Sequence, residues 1–245
     1  MDFPLLIIPF LILIAFLYGS VGHGGASGYL AIFALWGLAS PEVSATVLTM
    51  NIVVSGLALI TYLQHRYFSL NILWPFLVTS IPASFLGAVY SAHAPAFEIV
   101  LGVVLILASL RFWLPVRSES PVFNAQALRV AGSLAGGAII GFFSGMIGIG
   151  GGIFLSPLVL ILGLADVRTT AGMAAAFVML NSITGLGGHI FAGHFDWTWS
   201  ILSVASVAVA GLAGAWSGAS LITKPNLQKM LSMVMLIAGI KLLIS

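Results

Sequence analysis

Gly145-Met-Ile-Gly-Ile-Gly-Gly-Gly152 decides how this chain reads. The run lies inside apolar sequence where a helix would otherwise continue, and each glycine costs a helix about 1 kcal/mol against alanine. A looser copy stands at Gly19-Ser-Val-Gly-His-Gly-Gly-Ala26. Both copies follow a short apolar segment and precede another. Two helix breaks at matching places point to paired backbone sites. The expectation is that the two loops together form the substrate site of a membrane transporter.

The surrounding composition places those loops in lipid. The 245 residues are 60% hydrophobic and 6% charged, with a mean hydropathy of +1.18. A soluble domain carries about 25% charged residues. The chain therefore reads as one all-α polytopic bundle whose first partner is the lipid bilayer. The net charge of +2 comes from few residues and carries no nucleic-acid signal. The absence of cysteine excludes disulfides, thiol catalysis and cysteine metal sites. His189 and His194 with Asp196 are a conceivable metal pair, but no full ligand set supports one. The spans lack the buried acids and bases that intramembrane catalysis needs. No cofactor and no enzymatic activity are expected. Asp2 is the sole charge in residues 1–19, so the basic start of a cleaved signal peptide is missing.

Apolar segments run over 4–18, 26–39, 43–63, 70–91, 95–114, 128–144, 152–164, 169–192, 197–221 and 226–244. A span takes about 20 residues. The pairs 4–18/26–39 and 128–144/152–164 are short and share a glycine break, so they read better as broken hairpins than as pairs of full spans, with ten shorter, tilted spans as the alternative. A linker from Pro115 to Asn124 divides the chain into a first transmembrane repeat (1–114) and a second (128–245), with 115–127 between them.

The halves match in order. Gly19, Gly22, Gly24, Gly25 and Gly37 correspond to Gly145, Gly148, Gly150, Gly151 and Gly163 at a constant offset of 126. Phe85-Leu86-Gly87-Ala88 resembles Leu212-Ala213-Gly214-Ala215 further along. Five segments per half make the second repeat inverted relative to the first. Threading puts Arg66, Arg111, Arg117, Arg129, Arg168, Lys224 and Lys229 on the linker's face, and Lys241 with Asp2, Glu42, Glu98 and Asp196 on the other. By the positive-inside rule the linker is cytoplasmic and both termini lie outside.

An unwound glycine loop within a bilayer must be buried in protein or line a wet cavity. It presents free N–H groups at the start of the next helix, the end that carries about half a positive charge. That is an anion site without lysine or arginine, and inverted repeats place such sites at mid-membrane. The helix starts here are Gly25-Ala26-Ser27 and Gly151-Gly152-Ile153. Candidate substrate-binding residues are Gly22, His23, Gly24 and Gly25 in the first loop and Gly148, Gly150, Gly151 and Gly152 in the second. His23 is a donor to an anion or a carrier of protons; its other reading is a neutral histidine bonded to a carbonyl. Asn51, Ser55 and Asn181, with Ser182, either line the cavity or tie helices together. Gly132, Gly136, Gly137, Gly141, Gly211 and Gly214 read as close helix packing. Pro75, Pro82 and Pro157 are candidate kinks. Trp36, Trp74, Trp113, Trp197, Trp199 and Tyr67 fit an aromatic belt.

Gly148-Ile-Gly-Gly-Gly-x-x-x-Ser-Pro-Leu158, the copy at Gly22–Gly25, and Asn181-Ser182 followed by Phe195-Asp196-Trp197 resemble the TauE/SafE family of sulfite exporters and toluenesulfonate uptake permeases. The resemblance implies a duplicated bundle in the cytoplasmic membrane that moves sulfite, sulfonates, sulfoacetate or other small anions. It carries Gly148, Gly150, Gly151, Gly152 and Pro157 over as motif positions. The first half departs from the pattern at His23, Ala26 and Ala31. The expected function is a secondary transporter of a small anion working by alternating access, with protons as a candidate coupling ion. An anion channel and a non-transporting scaffold subunit are the alternatives. Nothing in the sequence sets an oligomeric state.

Overall fold

The computed structural model describes residues 5–38, 41–90, 126–193 and 200–244, together with Ile99, Gly102, Val103, Leu105, Ile106, Ser109 and Leu110. The described residues form helices joined by turns and short irregular loops. The helices are α1 (Ile8–Ser20), α2 (Ala26–Leu35), α3 (Pro41–Gln64) and α4 (Leu70–Tyr90) in the first half. The second half holds α5 (Gln126–Ile147), α6 (Gly152–Ile161), α7 (Val167–Phe191), α8 (Ser200–Trp216) and α9 (Lys224–Ile244). A π-helical turn, Ser217–Leu221, extends α8. Most of the linker, with His93, Trp113, His194, Asp196, Trp197 and Trp199, lies outside the described residues.

Local chemistry sets the boundaries. Proline suits the first turn of a helix because its missing N–H is unpaired there anyway, and α3 opens on Pro41. Asp166 caps α7: its Oδ1 accepts the Thr169 N–H at 2.8 Å. Pro75 and Pro82 lie within α4 and Pro157 within α6, and each helix runs on past them.

Five helices among the described residues are long and apolar enough to cross a membrane: Val43–Gln64, Leu70–Tyr90, Arg129–Ile147, Val167–Phe191 and Ser203–Leu221. Leu6, Val78, Ile139 and Val209 are exposed on the outside, whereas Asn51, Ser80, Ser84, Asn181 and Ser182 are fully buried. Polar inside and apolar outside is the arrangement a lipid solvent demands. The protein is a multi-pass membrane protein.

One expectation fails here. The arm 128–144 is not short, because α5 continues to Ile147. Gly145 stays helical because α4 comes so close that a Cβ there would overlap the Ser84 carbonyl. The second hairpin therefore joins a full-length helix to a ten-residue arm, and the break is confined to Gly148–Gly151.

The two halves of the sequence interleave. α1 packs on α8, α5 packs on α4, and α3 and α7 meet in the middle. Glycines let these backbones touch, as small residues do wherever membrane helices approach closely. A Cβ on Gly19 would stand 2.6 Å from the Gly211 carbonyl oxygen, and one on Gly214 would overlap the Phe16 carbonyl. Across the molecule, Gly137 and Gly141 lie against the Phe76 and Ser80 backbone in the same way, and Gly87 against Phe142. Gly136 makes looser contacts, to Leu158 and Phe76. Gly132 breaks the packing expectation, since a Cβ there would meet nothing within 4 Å.

One end of the bundle gathers the basic joints. Arg168 donates to the Tyr67 hydroxyl at 2.9 Å and to the Ile222 carbonyl at 2.8 Å. Lys224 pairs with Asp166 at 2.7 Å. The α3–α4 joint, the start of α7 and the π-turn before α9 thus share an end.

Candidate substrate site at the two glycine loops

The loops begin with the same cap. A left-handed glycine ends each helix, Gly22 at φ +77° and Gly148 at φ +79°, a conformation that other residues enter only under strain. The next N–H then folds back to the carbonyl five residues earlier: His23 to Tyr18 at 2.8 Å, Ile149 to Ser144 at 3.0 Å. This 6→1 bond is the signature of a Schellman ending. Both bonds obey the offset of 126. After each loop a ten-residue helix starts, α2 at Ala26 and α6 at Gly152.

The loops meet at Asn51. Its Oδ1 accepts the Ala26 N–H at 3.0 Å, satisfying one of the free donors at the start of α2. Its Nδ2 faces the Ile149 carbonyl at 3.4 Å and the Ser182 hydroxyl at 3.3 Å. A backbone N–H only donates and a carbonyl only accepts, so these partners fix the orientation of the amide. Gly24 and Gly150 flank it. A Cβ on Gly24 would overlap Oδ1, and one on Gly150 would lie 3.0 Å from Nδ2 and 2.6 Å from the Ser182 hydroxyl.

His23 makes the second crossing. It leaves the first loop and places Nε2 2.8 Å from the Ser156 hydroxyl in α6. Its ring lies against Gly152, where a Cβ would come within 3.1 Å of Cδ2. The residue is 1% exposed, and its Nδ1 has no hydrogen-bond partner among the described residues. Gly151 is packed by Ile140, Phe177 and Ser144, and Gly25 by the Tyr29 ring.

Of the residues singled out in the sequence, the two loops, His23 and Asn51 come together. Asn181 and Ser55 do not join them. Asn181 donates to the Ser80 hydroxyl at 3.1 Å and the Phe177 carbonyl at 2.8 Å, tying α7 to α4. Ser55 bonds back to the Asn51 carbonyl within α3, the usual habit of a helical serine. Ser182, named with Asn181 in the sequence, joins them through Asn51, and Ser156 is the addition. Ser156 stands four residues after Gly152, which puts it on the same helix face as the loop's exit. Ser182 lies four residues after Val178, whose side chain covers Gly152. His189 is buried, with Nε2 3.9 Å from the place of a Gly148 Cβ.

A family model described as Sulfite exporter TauE/SafE matches residues 7–242. The chain belongs to the TauE/SafE family. A probable membrane transporter protein of Sinorhizobium fredii is 32% identical over 239 residues, covering 94% of this chain and 94% of that protein. Another, from Bacillus subtilis, is 25% identical over 225 residues, covering 84% and 79%. No solved structure matches. This TauE/SafE chain is thus a membrane transporter.

Proposed function

We propose that the protein moves a small sulfur-containing or organic anion, of the sulfite or sulfonate kind, across the cytoplasmic membrane by alternating access. The carrying observation is the crossing of the loops: one carboxamide bonds to both, and His23 reaches from the first into the helix that follows the second. Two helix N-termini of positive character then converge on one polar spot inside an apolar shell. Donors of this kind hold an oxyanion and release it more readily than a fixed lysine or arginine would. Protons are the candidate coupling ion, carried by His23.

The second repeat is inverted relative to the first, and both termini face outward. The interleaving of α1 with α8 and of α4 with α5 supports bundles that rock across the sequence midpoint over rigid halves. The natural chain has no cysteine, so single cysteines at Lys224 and at Gly193 give a clean accessibility map. The expected labelling is from the cytoplasmic side and the outer side respectively; the same side for both removes the topology.

Flux into proteoliposomes tests the function, with sulfite, methanesulfonate, benzenesulfonate, thiosulfate and acetate offered with and without a pH gradient. Saturable flux of at least one oxyanion is expected. No saturable flux under any condition removes the reading. Saturable flux that no gradient drives uphill assigns a channel instead.

A further inference from the structure

We propose that Asn51 is the positioning residue that sets the size of the anion seat, by holding the two glycine loops at the spacing one compact oxyanion head group bridges. The inference rests on the anion-transport reading and says which molecules within that class fit.

Three observations lead to it. The amide is wedged between equivalent glycines: Gly24 on its oxygen side and Gly150 on its nitrogen side leave no room for a Cβ. Its bonds run in opposite senses, accepting from Ala26 at the start of α2 and donating to the Ile149 carbonyl of the second loop. The two loops therefore lie within the reach of one carboxamide. Position 177, the offset equivalent of Asn51, is a phenylalanine, which packs at Gly151 and bonds neither loop through its side chain. One spacer thus serves both loops, and the geometry points to a single seat rather than two. A buried, unpartnered donor or acceptor is retained where something else meets it. His23 Nδ1 is such an atom, on a ring whose Cδ2–Nε2 edge lies against Gly152 at the start of α6.

The ligand class follows from those contacts. A sulfite-like or short sulfonate head group presents several acceptor oxygens in a compact volume, the shape that two helix starts held by one carboxamide call for. A planar aryl group next to the head group meets Val178 and Phe177, which already fill the space around Gly150, Gly151 and Gly152. Sulfite and methanesulfonate are therefore preferred over benzenesulfonate.

The experiment measures KM for these three anions in proteoliposomes, for the natural chain, Asn51→Ser and Asn51→Asp. Serine is too short to span the loops, so Asn51→Ser shifts the KM ratio of sulfite to benzenesulfonate at least tenfold toward the bulkier anion. A merely structural role changes all three KM values by one factor, or lowers the maximal rate alone, and either result overturns the inference. If Asn51→Ser does not fold, Asn51→Asp carries the test. It keeps the acceptor toward Ala26 and sets a second acceptor against the Ile149 carbonyl. It is expected to remain folded and, with the second loop no longer held, to shift the same KM ratio at least tenfold toward benzenesulfonate; unchanged KM values, or all three changed by one factor, overturn the inference. Absence of saturable flux in the natural chain removes the transport reading and this inference with it. Flux with an unmoved ratio removes this inference alone.

Discussion

The two glycine loops share a cap and differ in almost everything it supports. The first follows a 13-residue helix and carries His23; the second follows a 22-residue helix and carries Ile149. His23 bonds to Ser156, and at the offset of 126 the corresponding pair is Ile149, in the main apolar core, and Leu30, packed against that core. Gly22 is jammed against the Ala171 backbone, whereas the equivalent Gly148 meets side chains alone, Ser44 at 3.2 Å and His189 at 3.9 Å. A duplicated backbone device has thus kept its hydrogen bonds while its two copies took separate tasks. The first loop is locked to its surroundings and carries the polar side chain. The second has more room at its cap and the richer run of glycine.

The sharpest break of that contrast is alanine at the paired caps. In Gly22→Ala the new Cβ overlaps the Ala171 carbonyl and the backbone is held at positive φ. Strain of about 1–2 kcal/mol adds to an overpacking cost of about 1–3 kcal/mol. In Gly148→Ala only the strain applies in full, about 1–2 kcal/mol. Thermal unfolding in detergent should therefore place Gly22→Ala well below Gly148→Ala. Equal losses would mean the two caps bear the same load.

Making the loops alike is the next test. His23→Ile gives the first loop the residue of the second and removes the bond to Ser156. The loss is about 1 kcal/mol of stability, since the serine hydroxyl can turn back to its own helix. Any dependence of flux on a pH gradient should vanish with it. Gradient dependence that survives the substitution takes the proton role away from His23.

The smallest effect lies at the helix starts that flank the loops. α7 is capped by Asp166, and the offset equivalent before α3 is Ser40. Burial alone would raise the Asp166 carboxyl, but the Lys224 ammonium and the Thr169 N–H outweigh it and hold the group below its ordinary value. A folded-state pKa below the unfolded one stabilises at neutral pH, and the contribution fades as pH falls through the folded value, below about pH 4. The pair is half-exposed, so solvent screening limits it to about 1 kcal/mol or less. In Asp166→Ser, which copies the first half, the melting temperature should fall slightly at pH 7 and match the natural chain at pH 3. A deficit that persists at pH 3 would assign the effect to something other than this carboxylate.

Much of the backbone was legible in the sequence because glycine and proline act locally. The segment starts at 26, 43, 70, 152, 169 and 226 fall within two residues of helix starts, and the offset of 126 reappears in matching hydrogen bonds. Tertiary contact decided the rest. Gly145 has the same local cost as Gly148, and only the closeness of α4 keeps it helical. Asn51 and Asn181 are both buried amides in long apolar helices, so the pattern treats them alike; which one faces the loops depends on how α3 and α7 are rotated. Ser156 looked like part of a motif, and its role needed a partner 133 residues away. Periodicity says which face of a helix is covered but not by what, so the interleaving of the halves was invisible.

That interleaving has a consequence for how the protein is made. Synthesis runs from the amino end, and domains as a rule fold in that order. Here α1 is made first, yet its close partner α8 follows only after residue 200. Until then Gly19 has no backbone to rest against, and α4 likewise awaits α5 from beyond the midpoint. Neither half is a template for the other; each is incomplete alone. If the chain is severed between residues 115 and 125, either fragment by itself should be degraded, and the two made together should assemble in the same membrane.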